Sequence, residues 1–385
     1  MLGEILHALR MAFAMLWEIL WALILGFGLS GIVQAVVSKK QMTRLLPDDS
    51  PRSIAIACLL GAASSSCSYA AAALARSIFR KGANFTSAIT FMLASTNLVA
   101  ELGIIMAILI GWQFTLAEFV GGPLMVAILV LLFRLFLSRQ MVDHARERAD
   151  RGIAGKMEGH AAMDMSLTGG GSIWHRIGSA KGFTAISRYF VMDWLAVWKD
   201  IAGGLLIAGA LAAWVPTSFW NRFFLVSHPL LAKLWGPIVG PLVAIVSFVC
   251  SIGNVPLAAV LWNGGSSFGG VIAFIYADLI VLPILDIYRK YYGLKMAAFL
   301  LGTMYASMTA AALVIELLFQ TLHLIPAERH ARIVEASITW NYTTALNMIF
   351  LAIAVLLLWR FFTTGGLQMA KMMDRMPQER HAHTA

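Results

Sequence analysis

Nine apolar segments dominate this chain and leave it few ways to fold. They cover residues 11–37, 53–79, 85–111, 115–137, 190–214, 237–262, 268–285, 295–320 and 343–362. One bilayer crossing takes about 20 apolar residues, and in lipid each backbone N–H and C=O must find a partner within the protein. Segments of this length read as helices, so the expected class is an all-α polytopic membrane protein. Composition agrees, with 59% hydrophobic and 13% charged residues, where a soluble domain carries about 25% charge. A soluble enzyme is excluded, as is a soluble domain on a single anchor. No small-residue cleavage site follows the first segment, which reads as a retained helix and not as a signal peptide.

Two segments differ from the rest. Ser64-Ser65-Ser66-Cys67-Ser68 interrupts 53–79, and Cys250-Ser251-Ile252-Gly253-Asn254-Val255-Pro256 interrupts 237–262. At an offset of 183, residues 67–98 and 250–281 align without a gap. Nine of the 32 positions are identical: Cys67/Cys250, Ser68/Ser251, Leu74/Leu257, Ala75/Ala258, Gly82/Gly265, Phe85/Phe268, Ile89/Ile272, Phe91/Phe274 and Ala94/Ala277. Apolar composition alone does not give that density around a shared break and glycine, so the chain reads as two homologous halves.

Charge sets their orientation. Basic residues gather at 38–52 (Lys39, Lys40, Arg44, Arg52), at 76–81 (Arg76, Arg80, Lys81) and at 139–188, whereas 112–115 and 263–267 carry none. If 53–79 and 237–262 crossed fully, the 38–52 loop would lie outside, against the positive-inside bias. If each is a re-entrant hairpin, every basic loop falls on the cytoplasmic side. Each half then has three crossings and one hairpin, so the second is inverted relative to the first, as in secondary transporters whose hairpin tips meet near the midplane. The expected divisions are a first repeat at 1–137 (hairpin 53–79), a cytoplasmic linker at 138–189, and a second repeat at 190–320 (hairpin 237–262). An outer loop, an extra C-terminal helix and a cytoplasmic tail fill 321–385. The net charge of +9 is explained by this orientation; without a basic face or binding motif, no nucleic-acid partner is expected.

Several motifs make the chain recognisable. They are Ser66-Cys67-Ser68, Arg80-Lys81-Gly82, Ala94-Ser95-Thr96-Asn97, Asp193-Trp194, Trp198-Lys199-Asp200, the 250–256 run, Gly269 to Leu279, and Tyr288-Arg289-Lys290-Tyr291-Tyr292-Gly293. Over nearly its whole length the chain resembles the predicted-permease family that includes the organoarsenical efflux permeases. The resemblance implies a plasma-membrane permease whose characterised relatives export trivalent organoarsenicals.

Trivalent arsenic is thiophilic, and thiolates suit it by the softness argument. Cys67 and Cys250 occupy equivalent places, each where a second half-helix begins, and a helix N-terminus favours the thiolate. They are expected either to capture substrate together or, as small buried residues, to let helices pack closely. Ser68, Ser251, Gly253 and Asn254 are candidates to line the path through hydroxyl, amide and free backbone groups; the bland alternative is that they make the bend, with Asn254 capping the half-helix. Cys58 has no repeat partner and reads as packing. An acid kept deep in a membrane usually serves a path, a relay or a partner. Glu101 and Asp278 are the deepest, with Asn97 placed one turn from Glu101 on a shared face; they are the candidates for proton coupling, against neutral acids bonded in a packed interface. Glu18, Asp193, Asp200 and Asp286 read as interfacial.

Met157, His160, Met163 and Met165 are soft-ligand types, but the chain has 20 methionines and no metal site is read from them. No phosphate-binding loop and no His-Glu-x-x-His signature is present, and Ser66-Cys67-Ser68 has no histidine nearby to act as base, so neither enzyme chemistry nor a cofactor is expected. The leading expectation is a secondary-active efflux permease for small trivalent organoarsenicals. The alternatives are a permease of the same fold for a thiol compound or an anion, and a gated channel.

Overall fold

The computed structural model describes residues 2–36, 45–65, 68–80, 82–150, 173–214, 219, 222–225, 227–247, 251–329, 331 and 342–368. Helix α1 spans Leu2–Val36. The first broken segment forms α2 (Pro51–Ser64) and α3 (Ser68–Arg80), followed by α4 (Phe85–Asn97), α5 (Ala100–Leu109), α6 (Trp112–Phe136), α7 (Arg139–Asp150) and α8 (Ile173–Gly178). The second half has α9 (Ala180–Trp214), α10 (Pro229–Ser247), α11 (Ser251–Asn263), α12 (Phe268–Tyr276) with a 3-10 turn at Ala277–Leu279, α13 (Leu282–Tyr292) and α14 (Leu294–Thr321). Helix α15 (Tyr342–Thr363) closes the series.

The described residues are all-α, and several helices suit a bilayer. Phe85–Leu109, Trp112–Phe136, Leu294–Thr321 and Thr343–Thr363 are each long and apolar enough to cross, and α12 with α13 forms a fifth candidate bent by 40°. By contrast α2, at 14 residues, is about 21 Å long at 1.5 Å per residue, short of a hydrocarbon layer about 30 Å thick. This is a multi-pass membrane protein.

The path of α2 and α3 follows from local chemistry. Ser50 caps α2 by accepting from the amide of Ser53, with Pro51 in the first turn, and Ser65 stops the helix in a left-handed conformation (φ 37°). Beside that cap, the Asp48 carboxylate accepts from the hydroxyls of Ser50 (2.7 Å) and Ser53 (2.5 Å). These bonds, that from Ser50 foremost, hold it below the ordinary carboxylate range. Leaving α3, the chain turns through Gly82 (φ 106°) into α4, which Asn84 caps.

Contacts show which way the legs run. The Asn84 amide donates to the Leu46 carbonyl (3.0 Å) and the Ser87 hydroxyl to the Asp48 carbonyl (2.5 Å), so α2 and α4 begin at the same level. Further along, a Cβ at Gly61 would meet the Phe91 carbonyl and Ala94, so α2 lies along α4 in the same direction. Since α3 joins α4 by a tight turn, it must descend. The described parts of α2 and α3 therefore run in opposite directions, as the two legs of a hairpin do. Helix α10 repeats this beside α12, with Gly236 against Ser267 and Gly270, and Gly240 against Gly270 and Ala273.

The offset of 183 holds well beyond the residues that disclosed it. Helix α3 maps onto α11 end for end, and Gly82 (φ 106°) onto Gly265 (φ 104°). The Asn84 cap maps onto the Ser267 cap. Arg146 donates to the carbonyls of Phe79 (2.7 Å) and Ala83 (3.2 Å) and stacks on the Phe79 ring at 4.1 Å. Arg329 does the same to Trp262 (3.0 Å) and Ser266 (2.7 Å), over the Trp262 ring at 4.5 Å. Every residue in the second set is the first plus 183. Equivalent helices also pack on each other in opposite directions. Gly31 of α1 meets Ile186 and Phe190 of α9, while Ile5 and Leu9 face Leu206 and Trp214. Likewise the Phe133 ring of α6 lies tilted against Phe299 of α14, and Gly121 meets Ile315.

Three expectations need correction. Residues 85–111 do not form one helix: Val99 is extended (φ −96°, ψ 142°) and α5 restarts with Glu101 in its first turn, where a carboxylate complements the helix dipole. Asn97 and Glu101 thus belong to different helices and share no continuous face. Segment 268–285 breaks in the same place of its half, at Ala277–Leu279. Arg76, counted with a basic loop, is 1% exposed beneath α7; its guanidinium donates to the Ala149 carbonyl (3.1 and 2.7 Å) and lies 4.4 Å from the Tyr291 ring centroid. A delocalised guanidinium that caps a carbonyl and stacks on a ring tolerates such burial.

Candidate functional site

The first hairpin's tip lies where the broken helices of both halves end. Ser68 opens α3, Asn97 closes α4, and Asp278 sits in the turn that ends α12. The Ser68 hydroxyl donates to Asp278 Oδ2 at 2.8 Å, and Asn97 Nδ2 donates to Asp278 Oδ1 at 3.3 Å. All three side chains are buried, at 1% exposure or less. Asn97 is about 18 Å along the helix from Phe85 at 1.5 Å per residue, about midway along the bilayer-long segment Phe85–Leu109. Residues 210 and 181 apart in sequence are therefore tied by one carboxylate, and the tie joins the two halves.

The broken backbone fixes the local field. Helix α3 points its N-terminus and partial positive charge toward this point, while α4 and α12 bring C-terminal carbonyls and partial negative charge. With Asp278 added, the surroundings are poor for an anion and suited to a neutral polar solute or a proton. Irregular backbone at such depth is stable only where protein or a water-filled cavity satisfies its free groups, and Ser68, Asn97 and Asp278 supply part of that.

The other candidates are placed as follows. Gly253 and Asn254 are buried in the first turns of α11, and neither amide atom of Asn254 has a hydrogen-bond partner among the described residues. Asn254 is therefore not held as a helix cap. Glu101 is 4% exposed in the first turn of α5. Cys67 and Cys250 lie outside the described residues, as do the soft-ligand residues Met157 to Met165; the backbone of Ser251 is described, its side chain is not. Asp286 is exposed and paired with Arg289 (2.7 Å) and Lys290 (2.6 Å). Cys58 is half-buried on α2. No group of His, Cys, Asp or Glu able to hold a metal occurs among the described residues.

Sequence reasoning passed over three buried polar residues. Glu316 accepts from the Gly269 amide at the start of α12, and Asn347 of α15 donates to the Trp17 carbonyl (2.7 Å) and accepts from the Trp21 amide (2.9 Å). Glu118 of α6 is fully buried. It sat in plain view as an acid inside an apolar segment, the signal that had singled out Glu101 and Asp278.

Multiple bilayer-length helices, two broken ones and a buried polar junction between equivalent halves define a helical membrane transporter. The comparisons agree. Residues 4–317 match the family described as predicted permease, and the chain belongs to that family. It is 64% identical over 348 residues to "Putative permease Rv2963" of Mycobacterium tuberculosis, covering 90% of this chain and 86% of that protein. No solved structure matches it. Membership makes the chain a permease, in line with a transporter in place of an enzyme.

Proposed function

We propose that this permease is a secondary-active exporter of small trivalent organoarsenicals, methylated or aromatic, working by alternating access between two inverted halves in the plasma membrane. The linker and C-terminus then face the cytoplasm. One observation supports this most: Ser68 at the first hairpin's tip is bonded to Asp278 of the opposite half, so a relative movement of the halves must make or break a contact in the path. A substrate that is small and uncharged suits the mixed helix ends around that contact. Cys67, next to Ser68, and Cys250, next to Ser251, are the proposed thiol ligands, with Gly253 and Asn254 lining the path. Asp278, hydrogen-bonded by Asn97, carries the coupling proton, with Glu101 as a further candidate.

Everted membrane vesicles should accumulate trivalent methyl- or phenylarsenic when the protein is present and a proton gradient is imposed. Collapse of the gradient should end accumulation. Equal uptake with and without the protein overturns the substrate assignment.

A further inference from the structure

Among the described residues, Glu118 of α6 is a buried acid, 0% exposed, and neither carboxylate oxygen has a hydrogen-bond partner. Burying a carboxylate without a partner costs several kcal/mol, so a position like this normally holds a proton or a cation. Its neighbourhood is specific. The Tyr276 hydroxyl donates to the Ala117 carbonyl at 3.4 Å and occupies the space that a side chain at Gly121 would need, which lays Tyr276 over the face of α6 carrying Glu118. Two residues past Tyr276 comes Asp278, and the Glu118 carboxylate is near enough to interact electrostatically with both.

The other titratable groups on the elements packed against α6 are few. Helix α4 has none. On α14, Lys295 lies at the first turn, Tyr305 donates to the Ile238 carbonyl (2.7 Å), and Glu316 is turned to the Gly269 amide. Helix α5 contributes Glu101, in its first turn. Tyr276 and Asp278 interact with Glu118, and Glu101 is a further buried acid at the same level, since Gly103 meets Phe119 and Gly122 meets Leu98.

We propose that Glu118 is a second proton-binding residue of the transport path, holding one exchangeable proton in common with Asp278. Two carboxylates that interact in a buried site do not both stay charged, so a proton on one favours release from the other. Tyr276, which lies against α6 beside Glu118 and two residues before Asp278, is the group through which a proton can pass. This rests on the permease reading with Asp278 as coupling residue, and adds a residue on a different helix, α6, which packs on its own equivalent α14.

The test separates the residue from the substrate. The full-length protein in lipid nanodiscs is titrated while the protonated-carboxyl carbonyl band is followed by infrared difference spectroscopy, with no arsenical present. A pH-dependent band is expected in the wild type; it should be lost or reduced in E118Q, and its midpoint should move in D278N. A band unchanged in E118Q overturns the proposal, whatever the substrate is. In vesicles, E118Q should retain arsenical counterflow and lose gradient-driven accumulation. Gradient-driven accumulation at the wild-type level in E118Q would also overturn it, whereas absence of any arsenical transport in the wild type would strike at the substrate reading alone.

Discussion

Replacing Asp278 with Ala and with Asn separates its role as a hydrogen-bond acceptor from its charge. Asp278→Ala removes the acceptor for the Ser68 hydroxyl (2.8 Å) and for Asn97 Nδ2 (3.3 Å), leaving two buried donors. Hydrogen bonds between helices in a membrane protein average about 0.6 kcal/mol with a maximum near 1.7, so losing both should cost about 1 to 3 kcal/mol. Asp278→Asn keeps an oxygen for one donor. Its new amide can donate to Asn97 Oδ1, which has no donor among the described residues, and a serine hydroxyl can rotate to suit. Its cost should stay under about 1 kcal/mol. Thermal unfolding in nanodiscs should therefore show the largest fall in melting temperature for Asp278→Ala, a smaller one for Ser68→Ala and the smallest for Asp278→Asn, although Asp278→Asn should abolish proton-driven transport. A wild-type melting temperature in Asp278→Ala, or an equal fall in both Asp278 variants, would refute the claim that this carboxylate joins the halves.

Other expectations are briefer. Because Arg146 and Arg329 make the same three contacts, Arg146→Ala and Arg329→Ala should destabilise to the same degree, about 1 to 3 kcal/mol each for partly exposed charged bonds and a ring contact, read as matched shifts in melting temperature. A large effect from only one would deny the equivalence. Single cysteines at Leu45 and Arg80, both exposed, should react with impermeant thiol reagent from the same membrane face in a background lacking the native cysteines. Labelling from opposite faces would end the hairpin. Gly61→Val should strongly reduce folded protein, because its Cβ would press on the Phe91 carbonyl and the Ala94 side chain; Gly28→Ala, with nothing within 4 Å, should be tolerated. Comparable yields of monodisperse protein from both would contradict the packing of α2 on α4.

The parts of the fold that sequence discloses are those written in backbone chemistry. Ser64 to Ser68 and Cys250 to Pro256 announce their breaks through small polar residues in apolar surroundings, and the shared Gly82 and Gly265 mark turns that need positive φ. The break at Leu98–Val99 carries no such mark, whereas the one after Tyr276 holds Asp278 and is followed by Pro283 in the first turn of α13. Asn97 and Glu101 keep helical spacing across a gap that has neither glycine nor proline, so periodicity reads straight through it. Arg146 was hidden differently: within a run of charges it looks like a solvated face, and its value lies in a ring and two carbonyls more than 60 residues away. Counting forward 183 residues to Arg329 was the available signal. For the site, Ser68, Asn97 and Asp278 were each picked out, but not that they form one junction, because that depends on which helix ends meet.

The proposal that Cys67 and Cys250 hold the substrate of a proton-driven arsenical exporter is addressed most directly by one vesicle measurement. Uptake of trivalent methylarsenic into everted vesicles is compared between wild type, Cys67→Ser/Cys250→Ser and Asp278→Asn, with and without a proton gradient. The account predicts gradient-driven accumulation by the wild type and its loss in both variants at equal membrane abundance. Accumulation at the wild-type level in both variants, or none in any of the three, would contradict it.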